Sequence, residues 1–190
     1  VVDLVGRLVR NREIKVLVVD GSPAGVHHMR RLLERHLYQI LDVPSAAVAV
    51  ELVKADPGIR LVLTSHILPG MGGVELTRQL RSMRPLDELA IIGFSIEGGF
   101  RLSHQFMNSG ANDLIEKPFL GQRFLSRIAQ NVAIIERFDC IRATASVDEL
   151  TQLKDRKGLQ EVGAALLKRS SREPQPLACG LIQIDHFDQM

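Results

Sequence analysis

Short apolar runs alternate with stretches of helical periodicity along most of this chain. Val16-Leu17-Val18-Val19 is an unbroken apolar run, as a parallel strand covered on both faces requires. Ser22 and Pro23 then mark a helix start, and Val26, Met29, Leu33 and Leu37 follow at helical spacing. Tyr38 to Val43 predicts a second strand, and Ser45 can cap a helix with Val48, Leu52 and Val53 on its apolar side. Asp56-Pro57-Gly58 is a turn. The third strand is expected over Leu61 to Thr64, followed by the loop Pro69-Gly70-Met71-Gly72-Gly73. A helix carrying Val74, Leu76, Leu80 and Met83 comes next, closed by Pro85. Leu89 to Phe94 predicts a fourth strand, Leu102, Phe106 and Met107 a fourth helix ended by Gly110, and Leu114-Ile115 a short fifth strand. Five strands, each followed by a helix, predict an α/β fold with a doubly wound five-stranded parallel sheet.

The helix after the fifth strand starts near Leu120 and meets no breaker before about Arg142, roughly 35 Å at 1.5 Å per residue. That is longer than covering one small sheet needs. Ile128, Val132 and Ile135 form one apolar stripe, expected on the sheet. Ile134, Phe138 and Ile141 form a displaced second stripe that could pair with another helix. Past this stalk the composition changes. The expected organisation is an N-terminal segment (1–14), a sheet domain with its extended fifth helix (15–142), a linker (143–147) and the opening of a second, α+β domain (148–190). Asp148 to Leu167 reads as a turn and an amphipathic helix, and Leu177 to Ile184 as an apolar strand. One helix and one strand cannot bury a core alone, so this region reads as part of a larger unit. In the N-terminal segment, Leu4, Val5, Leu8 and Val9 fit either a short helix or the tail of something upstream.

Composition adds mainly exclusions. With 24 Lys+Arg against 22 Asp+Glu, the formal charge of +2 gives no argument for nucleic acid. Arg78, Arg81 and Arg84 recur at helical spacing and read as a solvated helix face. The two cysteines, Cys140 and Cys179, have no Cys-x-x-Cys pairing and read as free thiols in a reducing compartment. No apolar run approaches the roughly 18 residues of a membrane span. The expectation is a cytoplasmic protein that does not engage a membrane. None of the six histidines shows metal-ligand spacing.

In open parallel sheets, sites form at the carboxyl ends of the strands. Asp20 and Gly21, Ser65, Ser95 and Lys117-Pro118 fall at those ends of the first, third, fourth and fifth strands. In this order and spacing, together with Leu68-Pro69-Gly70-Met71-Gly72-Gly73 and Ser109 to Phe119, residues 15 to about 142 resemble a response-regulator receiver domain of flavodoxin-like fold. In that family two acids end the first strand, a phosphoaccepting Asp ends the third, Ser or Thr the fourth, and Lys-Pro the fifth. The resemblance implies that Gly21 replaces the second acid and Ser65 the acceptor, while Asp20, Ser95 and Lys117 are retained. Of the family's three magnesium ligands it leaves the backbone carbonyl of Ile67. Leu114 stands where an aromatic switch residue is common. A vestigial pocket is therefore expected, holding an Asp20–Lys117 pair, with no catalytic residue, cofactor or metal.

Residues 148–157 (DELTQLKDRK) and 182–187 (IQIDHF) resemble the start of a GGDEF-type diguanylate cyclase domain. Here Gln183 stands in place of a metal-ligating Asp, and Asp185 matches the motif's second acid. The resemblances imply a pseudo-receiver in bacterial cyclic-di-GMP signalling. It would act as a homodimer, through the fourth and fifth helices or through Ile134, Phe138 and Ile141, or by binding another signalling protein. The alternative is the regulatory receiver of an active cyclase making cyclic di-GMP from GTP.

Overall fold

In the computed structural model, the described residues are 2–96, 99–144, 148, 151, 153–172, 176 and 178–180. Residues 1–139 and 140–190 form two compact units. The first unit holds a five-stranded parallel sheet of order β2-β1-β3-β4-β5, built from β1 (Lys15–Val19), β2 (Gln39–Val43), β3 (Ile59–Ser65), β4 (Ala90–Ser95) and β5 (Asp113–Glu116). Its helices are α1 (Val2–Asn11), α2 (Pro23–Glu34), α3 (Ala46–Ala55), α4 (Gly73–Met83), α5 (Phe100–Asn108) and the first part of α6 (Gly121–Thr144).

Alternate side chains of each strand point to opposite faces, and here both faces are apolar. Val16, Val18, Leu61, Leu63, Ile92 and Phe94 meet Met29 and Leu33 of α2 and Phe124, Ile128, Val132 and Ile135 of α6. Leu17, Val19, Val62 and Ile91 meet Ala49, Val50 and Val53 of α3 and Leu76 and Leu80 of α4. The stripe Ile128, Val132, Ile135 therefore lies on the sheet as expected. Ile134, Phe138 and Ile141 are 42%, 40% and 61% exposed. The start of α2 also follows the sequence: Pro23 opens it, and Ser22 accepts from Gly25 N–H at 3.4 Å.

One alternative left open is resolved, and one expectation needs amending. The N-terminal segment is a helix that belongs to the first unit. Asn11 Nδ2 donates to His36 O at 2.9 Å, and the Arg7 guanidinium donates to Ala129 O. The arginine triplet is not a solvated face either. Only Arg78 is, paired with Glu75 one turn away. Arg81 and Arg84 turn inward and donate to main-chain carbonyls, including Gly110 O, Leu89 O and Ile59 O.

In the second unit, α7 (Arg156–Arg172) supplies the amphipathic helix expected after the Asp148 turn. Asp148 Oδ1 accepts from Thr151 N–H at 2.8 Å, and Asp155 Oδ1 caps α7 by accepting from Gly158 N–H at 2.7 Å. Cys140 and Cys179 are not joined in a disulfide. The strand expected over 177–184, with Gln183 and Asp185, lies outside the described residues except for 178–180, which carry no regular structure. Among the described residues, no helix is long and apolar enough to cross a membrane.

Candidate functional site

Because all five strands run the same way, their carboxyl ends share one rim, and a cavity of about 920 Å³ opens there. Asp20, Gly21, Ser65, Ser95 and Lys117 all line it, so the topology brings the five expected residues together. Pairing carries each to its place: Val19 lies opposite Thr64, Ser65 opposite Phe94 and Ser95 opposite Glu116.

Asp20 is buried and doubly held. Its Oδ1 accepts from Ser22 N–H at 3.0 Å, and its Oδ2 faces Lys117 Nζ at 3.2 Å. Lys117 Nζ also stands 4.3 Å from the centre of the Phe94 ring, a cation–π contact that adds to its fixation. The Lys117 N–H donates to Ser95 O at 2.7 Å, locking the β5 end against β4. A buried carboxylate is tolerated where a cation and hydrogen bonds compensate its lost hydration, and both are present here. Asp20 is the sole carboxylate among the described lining residues. Among all described residues, no cluster of three or more His, Cys, Asp or Glu could hold a metal ion.

At the mouth, Ile67 and Ile96 are more than three-quarters exposed on the β3–α4 and β4–α5 connections, beside exposed Arg101 and Gln105. Ser95 is buried beneath it and Ser65 half-buried. Next to Ser65, the His66 ring meets Phe106 edge-on at 6.2 Å, while His66 N–H donates to Phe94 O at 2.8 Å. Leu114, paired opposite Gly93 in β5, is half-buried.

Sequence reasoning missed two participants. Gly25, in the first turn of α2, lies against the ion pair, and a Cβ there would overlap the Asp20 carboxylate and come within 3.3 Å of Lys117 Nζ. A glycine inside a helix costs about 1 kcal/mol relative to alanine, and that cost was the available signal of close approach. Phe94 was assigned to its strand but not to the lysine.

Residues 16–129 match the family model of the response regulator receiver domain. The chain belongs to that family. Curated relatives of this receiver include the two-component response regulator ORR6 of Oryza sativa subsp. japonica, 29% identical over 108 residues, covering 56% of this chain and 64% of that protein. A CheY homolog of Campylobacter jejuni subsp. jejuni, a chemotaxis protein, is 28% identical over 114 residues, 57% of this chain and 85% of that one. Among solved structures, a two-component response regulator/GGDEF domain protein is 36% identical with a TM-score of 0.68, covering 71% of this chain and 55% of the other. A receiver domain from Methanospirillum hungatei JF-1, at 24% identity and a TM-score of 0.60, agrees in fold. The receiver described here thus spans just over half the length of the solved receiver/GGDEF chain and 64% of the rice regulator.

Proposed function

We propose that this chain is a response-regulator receiver module that works without accepting a phosphoryl group, linked to a GGDEF-like domain in cyclic-di-GMP signalling. The observation that carries the reading is the isolation of Asp20, the pocket's sole described carboxylate, already engaged by Lys117 at 3.2 Å. Phosphoryl acceptance needs an activated nucleophile and a metal ion to offset the incoming charge. Magnesium takes oxygen ligands, usually from one or two carboxylates plus waters. Gly21 and Ser65 supply no carboxylate, so the residues at these strand ends do not fit the ion. Serine could replace the acceptor only beside a base, and the neighbouring His66 ring packs on Phe106 instead.

Incubation with Mg²⁺ and acetyl phosphate is expected to leave the intact mass unchanged, and titration with Mg²⁺ to give no saturable heat. The combined Gly21→Asp and Ser65→Asp replacement should create magnesium binding in the millimolar range. A side chain at position 21 has room, since a Cβ there meets nothing nearer than Pro69 Cδ at 3.4 Å. A phosphoryl mass gain on the unaltered chain would overturn the reading.

Signal transfer then rests on protein contacts, in a homodimer through the α5/α6 face or the stalk stripe, or with another signalling protein. Ile134, Phe138 and Ile141 present large apolar side chains at 40–61% exposure, spaced to form a helix-pair seam. Replacing all three by Ser should convert a dimer to a monomer in light scattering at micromolar concentration. An unchanged mass would remove the stalk from the reading.

A second reading is favoured by the 36% identity to a response regulator/GGDEF domain protein. In it this segment regulates an active cyclase that makes cyclic di-GMP from GTP. Gln183, where the resemblance implies a metal-ligating Asp, argues against it, because a neutral amide brings no charge to a metal–triphosphate site. Formation of cyclic di-GMP from GTP by the full-length protein would decide for it.

A further inference from the structure

We propose that the cleft between α1, α2 and the start of α6 is a binding site for a small organic oxyanion, a phosphorylated or carboxylated molecule with an apolar body. The cleft holds about 660 Å³, inside the range of roughly 300–1,000 Å³ usual for small-molecule sites. It is separate from the strand-end pocket, and none of its lining residues belongs to the Asp20–Lys117 pair.

Its chemistry is one-sided. Arg7 from α1 and Arg35 and His36 from the end of α2 all line it, and no carboxylate among the described residues does. Basic groups converging on a concave, partly desolvated surface focus a positive potential that an anion relieves. Guanidinium groups suit phosphate and carboxylate because their N–H groups form a planar fork. The Arg7 guanidinium donates to Ala129 O and also hydrogen-bonds Tyr38, yet its Nε is a buried N–H with no acceptor among the described residues, so a donor is to spare on this wall. Burial pushes the Tyr38 hydroxyl above its ordinary range, which Arg7 opposes and Glu136 reinforces, so the phenol stays a neutral donor. Glu136 adds negative charge near Tyr38 but does not line the cleft. Exposed Gln122 and Ser126 add polar groups at the rim, and half-buried Leu32 and Leu125 give the apolar wall that asks for an organic body.

The arrangement depends on α1. Asn11, buried at 2% exposure, ties that helix to His36 O, and Arg7 ties it to α6. A ligand bridging Arg7 and Arg35 would therefore tighten α1 onto the domain and give it a chemical input that uses no phosphoryl transfer.

The test is calorimetric titration of the full chain with inorganic phosphate, phenyl phosphate and benzoate, with thermal melts alongside. Phenyl phosphate or benzoate should bind one to one at millimolar or tighter affinity and raise the melting temperature, more strongly than phosphate. Which aromatic probe binds better tells a phosphorylated from a carboxylated ligand. Arg35→Gln changes an exposed side chain and should weaken binding about tenfold, the scale of one charge-assisted hydrogen bond. Ser126→Phe, filling the cleft from an exposed position, should abolish it. Arg101→Gln, at an exposed cation lining the strand-end pocket, should leave it unchanged. The proposal is overturned if no probe gives saturable heat, if Arg35→Gln binds like the parent, or if Arg101→Gln removes the binding.

Discussion

Arg81→Ala is expected to destabilise the receiver by about 3 kcal/mol, with Arg81→Lys recovering less than half of that loss. The arginine lies on α4 but donates away from its own helix. Nε donates to Gly110 O at 2.9 Å, and Nη1 to Leu89 O at 2.9 Å and Arg84 O at 3.1 Å. Nη2 donates to Asn112 Oδ1 at 3.1 Å, and the same Asn112 oxygen accepts from Ile91 N–H. One guanidinium thereby joins the end of α4, the entry to β4 and the turn between α5 and β5. Burial pulls its pKa down to about 10, which still leaves a full cation at neutral pH. A hydrogen bond to a charged group contributes about 1.5–3 kcal/mol, and a buried acceptor stripped of its donor costs about 1–3. Four such bonds sharing one group are far from additive, which brings the total to the figure given. Lysine has no rigid fork and cannot reach opposed carbonyls at once. Urea denaturation of Arg81→Ala, Arg81→Lys and Asn112→Ala gives the comparison. An Arg81→Lys variant as stable as the parent would refute the role of the fork.

That hub was hidden in the sequence for a definite reason. Arg78, Arg81 and Arg84 share one spacing and one composition, and periodicity alone gives them one environment. What separates them is where carbonyls up to 31 positions away come to rest, and this is a property of the packed fold. The strands were legible because a parallel sheet covered on both faces needs continuous apolar runs, and Val16–Val19 and Leu61–Leu63 are buried completely. Their ends were less so. Arg60 and Asp113 belong to β3 and β5 yet sit at the periphery, each paired with an α6 residue, so polarity does not mark the boundary. β2 is an edge strand with Gln39, Leu41 and Asp42 exposed, and its signal is correspondingly weak. The Asp20–Lys117 pair could be foreseen because topology alone puts those strand ends together. Gly25 and Phe94 complete it through contacts of a few ångströms that no spacing encodes. α1 stayed ambiguous because the contacts of Asn11 and Arg7 that attach it depend on where the distant carbonyls of His36 and Ala129 come to rest.

Gly73→Ala should destabilise the domain by about 3 kcal/mol, against the sign that helix propensity assigns to it. Propensity alone favours alanine over glycine within a helix by about 1 kcal/mol. Gly73 opens α4 directly behind the loop from β3, and its N–H donates to His66 O at 2.9 Å. A Cβ at this position would overlap the carbonyl oxygen of Ser65, lie 3.0 Å from its carbonyl carbon and 3.2 Å from Cζ of the fully buried Phe106. Backbone cannot step aside as a flexible side chain can, so the loop must move. Overpacking of this kind costs about 1–3 kcal/mol and sometimes more, enough to outweigh the propensity term. Gly163, in the middle of α7, provides the contrast. Nothing stands within 4 Å of a Cβ there, and Gly163→Ala should raise helicity by circular dichroism, stabilising by about 0.4–1 kcal/mol. The close approach at Gly73 also joins fold to site, since the carbonyl it would displace belongs to Ser65 at the pocket floor. Hydrogen exchange at the His66 amide, which bonds Phe94 O at 2.8 Å, should therefore accelerate in Gly73→Ala beyond the change in global stability. Equal stability of Gly73→Ala and the parent would show that the loop yields without cost, and that the β3 end is not fixed by this contact.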